Sequence, residues 1–219
     1  MKQKTIFVKT KKMLADTLTP VGLYLNLRDQ FYHAFLLESS DYHGNENKYS
    51  FVCLDPLASF SFQDNQITTQ CGSLTEILEL NNRTELMPQL QSFITSFELQ
   101  QENEAPASAN GFFGYTAYDA VQYFDTLEFH SRTPREEQIP LMHYTAFRFV
   151  LRFDHFKNEL LVTENRLQGE ESQMEKIETL LHINKFPSYT FRLTGEEESN
   201  ITGDQYMEMV RKGITHCRR

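Results

Sequence analysis

Apolar and polar residues change places most regularly between Phe147 and Phe153, where Phe147, Phe149, Leu151 and Phe153 are interleaved with Arg148, Val150 and Arg152. A period of two predicts a strand, and Asp154 to Asn158 reads as a turn leading back into Glu159 to Thr163, so the segment predicts a long hairpin. Similar short runs earlier in the chain predict strands over Thr5 to Lys9, Tyr32 to Leu37, Tyr49 to Leu54, Ala58 to Phe62 and Gln66 to Thr69, the last two joined at Asp64-Asn65 in a tight turn.

The helical period appears elsewhere. Thr19 before Pro20 predicts an N-cap and a helix through Leu27. Leu86, Leu90, Phe93, Ile94 and Phe97 form one apolar stripe on a second helix, with Pro88 tolerable only in its first turn. Met174, Ile177, Leu180 and Leu181 predict a third, with glutamates on its other side. Thr202 and Gln205 have capping-box spacing, and Tyr206, Met209, Val210 and Ile214 carry a fourth toward the terminus. Gln100 to Ala109 and the acidic Glu196-Glu197-Glu198 run read as connectors. Strand-rich segments with interspersed helices predict an α+β architecture of antiparallel sheets with packed helices.

Composition narrows the function. With 219 residues, 40% of them hydrophobic and eighteen phenylalanines, the chain can bury roughly 70% of its unfolded surface. A formal net charge of −9 disfavours nucleic acid as a partner. Cys53, Cys71 and Cys217 suit neither a disulfide framework nor a zinc site. The first twenty residues lack a secretory apolar core, and no run approaches the ~20 apolar residues of a membrane span, so a soluble cytoplasmic protein is expected. The seven histidines show no helical zinc spacing and no evident nucleophile partner, which leaves them ordinary structural roles.

The richest stretch runs from Leu36 to Pro56, reading Leu-Leu-Glu-Ser-Ser-Asp and then Lys-Tyr-Ser-Phe-Val-Cys-Leu-Asp-Pro. A free amino acid needs an acceptor for its ammonium, donors for its carboxylate and an apolar slot for its side chain. Glu38 and the hydroxyls of Ser39 and Ser50 have that polarity, on strands rich in Leu and Phe. A carboxylate at position 38 also serves the plainer purpose of leading a buried strand out to solvent.

In order and spacing these segments resemble the amino-terminal region of anthranilate synthase component I. Further stretches resemble it too: Thr19-Pro20-Val21 with Leu23-Tyr24-Leu25, the run from Gly111-Phe112-Phe113-Gly114-Tyr115 to Tyr118-Asp119 with Tyr123-Phe124-Asp125, Phe153-Asp154-His155, and the helix from Asp204 to Arg219. Two departures stand out: Asn110-Gly111 where the family often has two glycines, and Gln122 where it has an arginine. A Gly-x-x-Gly of this kind reads more economically as close backbone packing than as a phosphate site.

The resemblance implies a protein that makes anthranilate and pyruvate from chorismate and glutamine-derived ammonia, with Mg²⁺ held by a carboxy-terminal half absent from this chain. It implies that residues 1–200 form a regulatory region binding feedback inhibitor L-tryptophan through Glu38, Ser39, Tyr49 and Ser50, and that residues 201–219 begin the helix leading into the catalytic half. No catalytic residue and no metal ligand is assigned here. The implied partners are L-tryptophan, a glutamine amidotransferase subunit and that carboxy-terminal half. A helical pattern that stops at Arg218-Arg219 without a stop signal agrees with a longer parent. Two alternatives remain: aminodeoxychorismate synthase component I, which shares the architecture, and a non-catalytic module that docks a glutaminase subunit.

Overall fold

The structure, a computed structural model, describes residues 3–38, 48–103, 110–127, 139–183, 190–196 and 198–218. The chain divides into two units, residues 1–187 and 188–219.

The first unit is built on one mixed sheet, nine-stranded among the described residues. Its strands are β1 (Lys4–Leu14), β2 (Phe35–Leu37), β3 (Tyr49–Gln63), β4 (Gln66–Cys71), β5 (Leu74–Glu79), β6 (Phe97–Gln101), β7 (Phe113–Thr116), β8 (Met142–Asp154) and β9 (Glu159–Leu167). The order is β5-β4-β3-β8-β9-β1-β6, with β2 added to β3 and β7 to β8. Every pairing is antiparallel except β1 with β6, which is parallel. The helices are α1 (Pro20–Leu27), α2 (Leu86–Thr95) and α3 (Met174–Leu181), so the α+β expectation holds, with the strands joined in one sheet.

Two long strands carry the architecture. The segments predicted separately as Tyr49 to Leu54 and Ala58 to Phe62 are one strand, β3, with a register shift between Pro56 and Ala58 and a left-handed Asp55 (φ 60°) just before it. This irregularity inserts one residue opposite β8. As a result, even-numbered residues of β3 enter a core on both sides of it, whereas β8 offers Phe149, Leu151 and Phe153 to one core and Met142 and Ala146 to another.

The first core unites Val52, Leu54, Phe149, Leu151, Phe153, Leu160 and Val162 with Leu23 and Leu27 of α1 and Met174, Ile177 and Leu181 of α3. Thr19 caps α1 as the sequence predicts, its hydroxyl accepting from the Gly22 N–H at 3.0 Å. Buried Asn26 donates to the carbonyls of Leu180 (3.1 Å) and Ile183 (2.8 Å), satisfying acceptors that the end of α3 would leave open. At the other end of α3, the fully buried Glu164 carboxylate accepts from the Ser172 hydroxyl at 2.6 Å and the Gln173 N–H at 2.5 Å.

The second core joins Ala58, Phe60, Phe62, Ile67, Met142 and Ala146 to Leu86, Leu90 and Phe93 of α2 and to Ala120. The apolar stripe on α2 stops short of its predicted end: the helix finishes at Thr95, and Phe97 opens β6. The predicted connector beginning at Gln100 likewise starts inside β6, and Asn103 beyond it accepts from the Thr10 N–H at 3.1 Å. Of the predicted strand Tyr32 to Leu37, only Phe35–Leu37 is extended and paired.

The second unit contains α4 (Gly203–Cys217), whose Thr202 and Gln205 form the expected capping box.

Candidate functional site

Two of the predicted site residues, Tyr49 and Ser50, open β3, and Glu38 follows directly after β2. Leu36 faces Val52 and Leu37 faces Phe51 in the antiparallel register. Continuing that register by one pair sets Glu38 opposite Ser50, on the side of the sheet that Leu36 and Val52 share. Val52 and Phe153 belong to the first core and the partly buried Leu36 packs against it, so Ser50 lies beside apolar side chains.

The individual placements differ. Glu38 is exposed just beyond β2. Ser50 is 2% exposed, and its hydroxyl lies 2.7 Å from Nε2 of His155. Tyr49 is half-buried and, being adjacent to Ser50 on a strand, points the opposite way; its ring lies under the Arg152 guanidinium at 4.8 Å. Ser39 lies outside the described residues. Ser50 and Tyr49 thus point to opposite sides of β3, and Glu38 stands exposed one residue past the β2–β3 ladder.

His155, for which the histidine spacing predicts only a structural role, belongs to this neighbourhood. It sits in the β8–β9 turn, where Asp154 Oδ1 accepts from the N–H groups of Phe156 (3.1 Å) and Lys157 (3.0 Å) and Asn158 adopts a left-handed conformation (φ 51°). The Phe-Asp-His turn was the available signal, but its connection to Ser50 spans 105 residues and has no local pattern.

On the Tyr49 side, an open hollow of about 280 Å³ is lined by Lys12, Tyr49, Arg152, Asp154, Lys157, Glu159 and Leu161. Its charges are largely engaged locally: Lys12 meets Glu159 at 2.6 Å. A second hollow, about 230 Å³, has Ile6, Ile94, Phe97 and Phe112 as walls, with Asn110 and Asn165 among its lining residues.

The glycine-tyrosine run forms β7 and the 3-10 turn Tyr118–Tyr123. A Cβ on Gly114 would lie 1.8 Å from the His143 carbonyl oxygen, so close backbone approach explains this glycine. Asn110 has a definite partner: its side-chain amide exchanges hydrogen bonds with that of Asn165 at 2.6 and 2.9 Å, while Asn165 also donates to the Phe147 carbonyl at 2.8 Å.

Among the described residues no three His, Cys, Asp or Glu side chains converge to hold a metal ion. Burial pushes the His143 pKa down, with His33 adding to the effect, in keeping with a structural neutral imidazole. No helix among the described residues is long and apolar enough to cross a membrane.

The family profile for chorismate binding enzymes matches residues 32–219, and the chain belongs to that family. It is 25% identical over 167 residues to anthranilate synthase component 1 of Lactococcus lactis, covering 76% of this chain and 34% of that protein. It is 25% identical over 214 residues to the protein of the same name from Thermus thermophilus, covering 95% and 44%. The chain thus spans less than half the length of either relative. A crystal structure of anthranilate synthase component I from Streptococcus pneumoniae aligns over 92% of this chain and 37% of that one, with 16% identity and a TM-score of 0.42.

Proposed function

We propose that this chain is the effector-binding part of an anthranilate synthase component I, in which L-tryptophan, as feedback inhibitor, seats its charged end between the β2 exit and the start of β3. Glu38 accepts from the ammonium, the Ser50 hydroxyl and the neighbouring Ser39 serve the carboxylate, and the rim of the first core receives the indole. Tyr49 acts from the other side of β3, holding the strand through its contact with Arg152. The observation that supports this reading most is the β2–β3 register, which, extended by one pair, would set the exposed Glu38 carboxylate across from the buried Ser50 hydroxyl.

The parent protein, a cytoplasmic lyase, converts chorismate and glutamine-derived ammonia to anthranilate and pyruvate. Its Mg²⁺-dependent chemistry lies in polypeptide outside these 219 residues, and a glutamine amidotransferase subunit is its partner. Regulation is a shift of populations: tryptophan prefers the arrangement that holds chorismate poorly, and a coupling of about 1–3 kcal/mol suffices for useful inhibition. The chain alone makes no anthranilate.

Calorimetry with L-tryptophan tests the site. Wild-type chain binds, and Glu38→Ala, which removes the partner of a charged ammonium, weakens binding by about tenfold or more. Equal affinity in the two proteins would remove Glu38 from the site.

A further inference from the structure

His155 ties the beginning of β3 down twice. Its backbone N–H donates to the Lys48 carbonyl at 3.1 Å, and its Nε2 lies 2.7 Å from the Ser50 hydroxyl oxygen. The turn that presents it is itself fixed by Asp154 and the left-handed Asn158. His155 is exposed, whereas Ser50 is buried and faces Phe153 across the β3–β8 ladder.

A serine hydroxyl has one proton to give and two lone pairs to receive. In an apolar surround the direction of that proton is set by whichever strong partner is nearest, and at Ser50 that partner is His155. A donor N–H at Nε2 occupies a lone pair of the Ser50 oxygen and leaves its O–H available to a carboxylate. An acceptor Nε2 would consume the O–H instead.

We infer that His155 is a positioning residue for the effector site: by donating from Nε2 it turns the Ser50 O–H outward, toward the carboxylate of an α-amino acid whose ammonium is taken by Glu38. The inference rests on the effector reading above and adds to it a residue from a different hairpin, together with a defined division of labour between the two ends of the ligand's charged group.

The test is calorimetry of the wild-type chain and of Ser50→Ala, His155→Ala and His155→Asn with L-tryptophan and with tryptamine, which keeps the ammonium and indole but lacks the carboxylate. Thermal melts confirm that each variant is folded. His155→Ala is expected to weaken L-tryptophan binding about tenfold, the scale of one hydrogen bond to a charged group, and the double variant with Ser50→Ala is expected to be no weaker than either alone. Tryptamine affinity stays constant throughout, and His155→Asn, which retains a side-chain N–H, recovers part of the loss.

If Ser50→Ala weakens tryptophan binding while His155→Ala does not, the inference is overturned and the effector reading stands. Equal losses for tryptophan and tryptamine in His155→Ala would also overturn it, since only a general structural role affects both. If the wild-type chain binds no tryptophan, the effector reading fails and this inference with it.

Discussion

The guanidinium of Arg148 meets the carboxylate of Glu170 through two parallel hydrogen bonds, each 2.9 Å long. Its Nε donates to Asp55 at 2.9 Å, at the left-handed residue where β3 changes register, so one side chain links the bend of a central strand to the loop after β9. Replacing Arg148 with Met removes the fork and leaves two carboxylates facing one another. A loss of about 2 kcal/mol in urea unfolding is expected, discounted from fully buried pairs because Glu170 is partly exposed.

The same pair gives the fold an acid limit. Burial alone would raise the Glu170 pKa, but hydrogen bonds from Arg148 and the Leu167 N–H, with the charge of Arg148, outweigh it and hold the carboxyl below its ordinary value of 4.5. A depressed folded pKa stabilises the fold fully above the unfolded value and ceases to do so as pH falls through the folded value. The stability difference between wild type and Glu170→Gln should therefore be fully present above the ordinary value of 4.5 and shrink as pH falls below it. A difference that grows on acidification would contradict the assigned sign.

Gly114→Ala is expected to loosen β7 from β8. With the added methyl 1.8 Å from the His143 oxygen, the strands must separate locally, at a cost of about 2 kcal/mol or more. Faster hydrogen exchange at the amides of the β7–β8 ladder would report the separation; protection equal to wild type would mean the backbone accommodates the methyl.

Asn165→Leu strips the Phe147 carbonyl and the Asn110 amide of a shared partner within the interior. Each unsatisfied buried group costs about 1–3 kcal/mol, so denaturation should show a loss in that range. Pairing it with Asn110→Leu should return part of the loss, because both amides are then gone; additive losses would show that the two side chains act independently.

The cysteines should separate by reactivity. Burial pushes the Cys53 thiol up to about 12, and burial raises Cys71 as well, whereas Cys217 is exposed on α4. Since the thiolate is the reacting form, a chromogenic thiol reagent should label Cys217 first and the other two only on unfolding. Prompt labelling of Cys53 in the native chain would show that the start of β3 opens readily.

Local chemistry was readable in the chain, and distant pairing was not. The β8–β9 hairpin follows from the alternation of Phe149, Leu151 and Phe153 with an Asp-initiated turn, and the caps at Thr19 and Thr202 follow from residue type alone. β3 looks like two strands because Asp55-Pro56 has the appearance of a break, while in the fold it is the point where a residue is inserted. β5 carries no alternating signal because every one of its residues is exposed. Phe97 falls in step with the helical stripe before it, yet it pairs with Lys4 in the parallel ladder, a relation between positions 93 residues apart. At the candidate site, residue type suggested Glu38 and Ser50; the hydroxyl's neighbour, His155, is supplied only by the way β8 lies along β3.

The sheet order has a consequence for how the polypeptide reaches its native state. β1 is made well before either of its ladder partners, residues 97–101 and 159–167. On a ribosome β1 must therefore wait unpaired until residues 97–101 have emerged, presenting bare backbone edges to other nascent chains meanwhile.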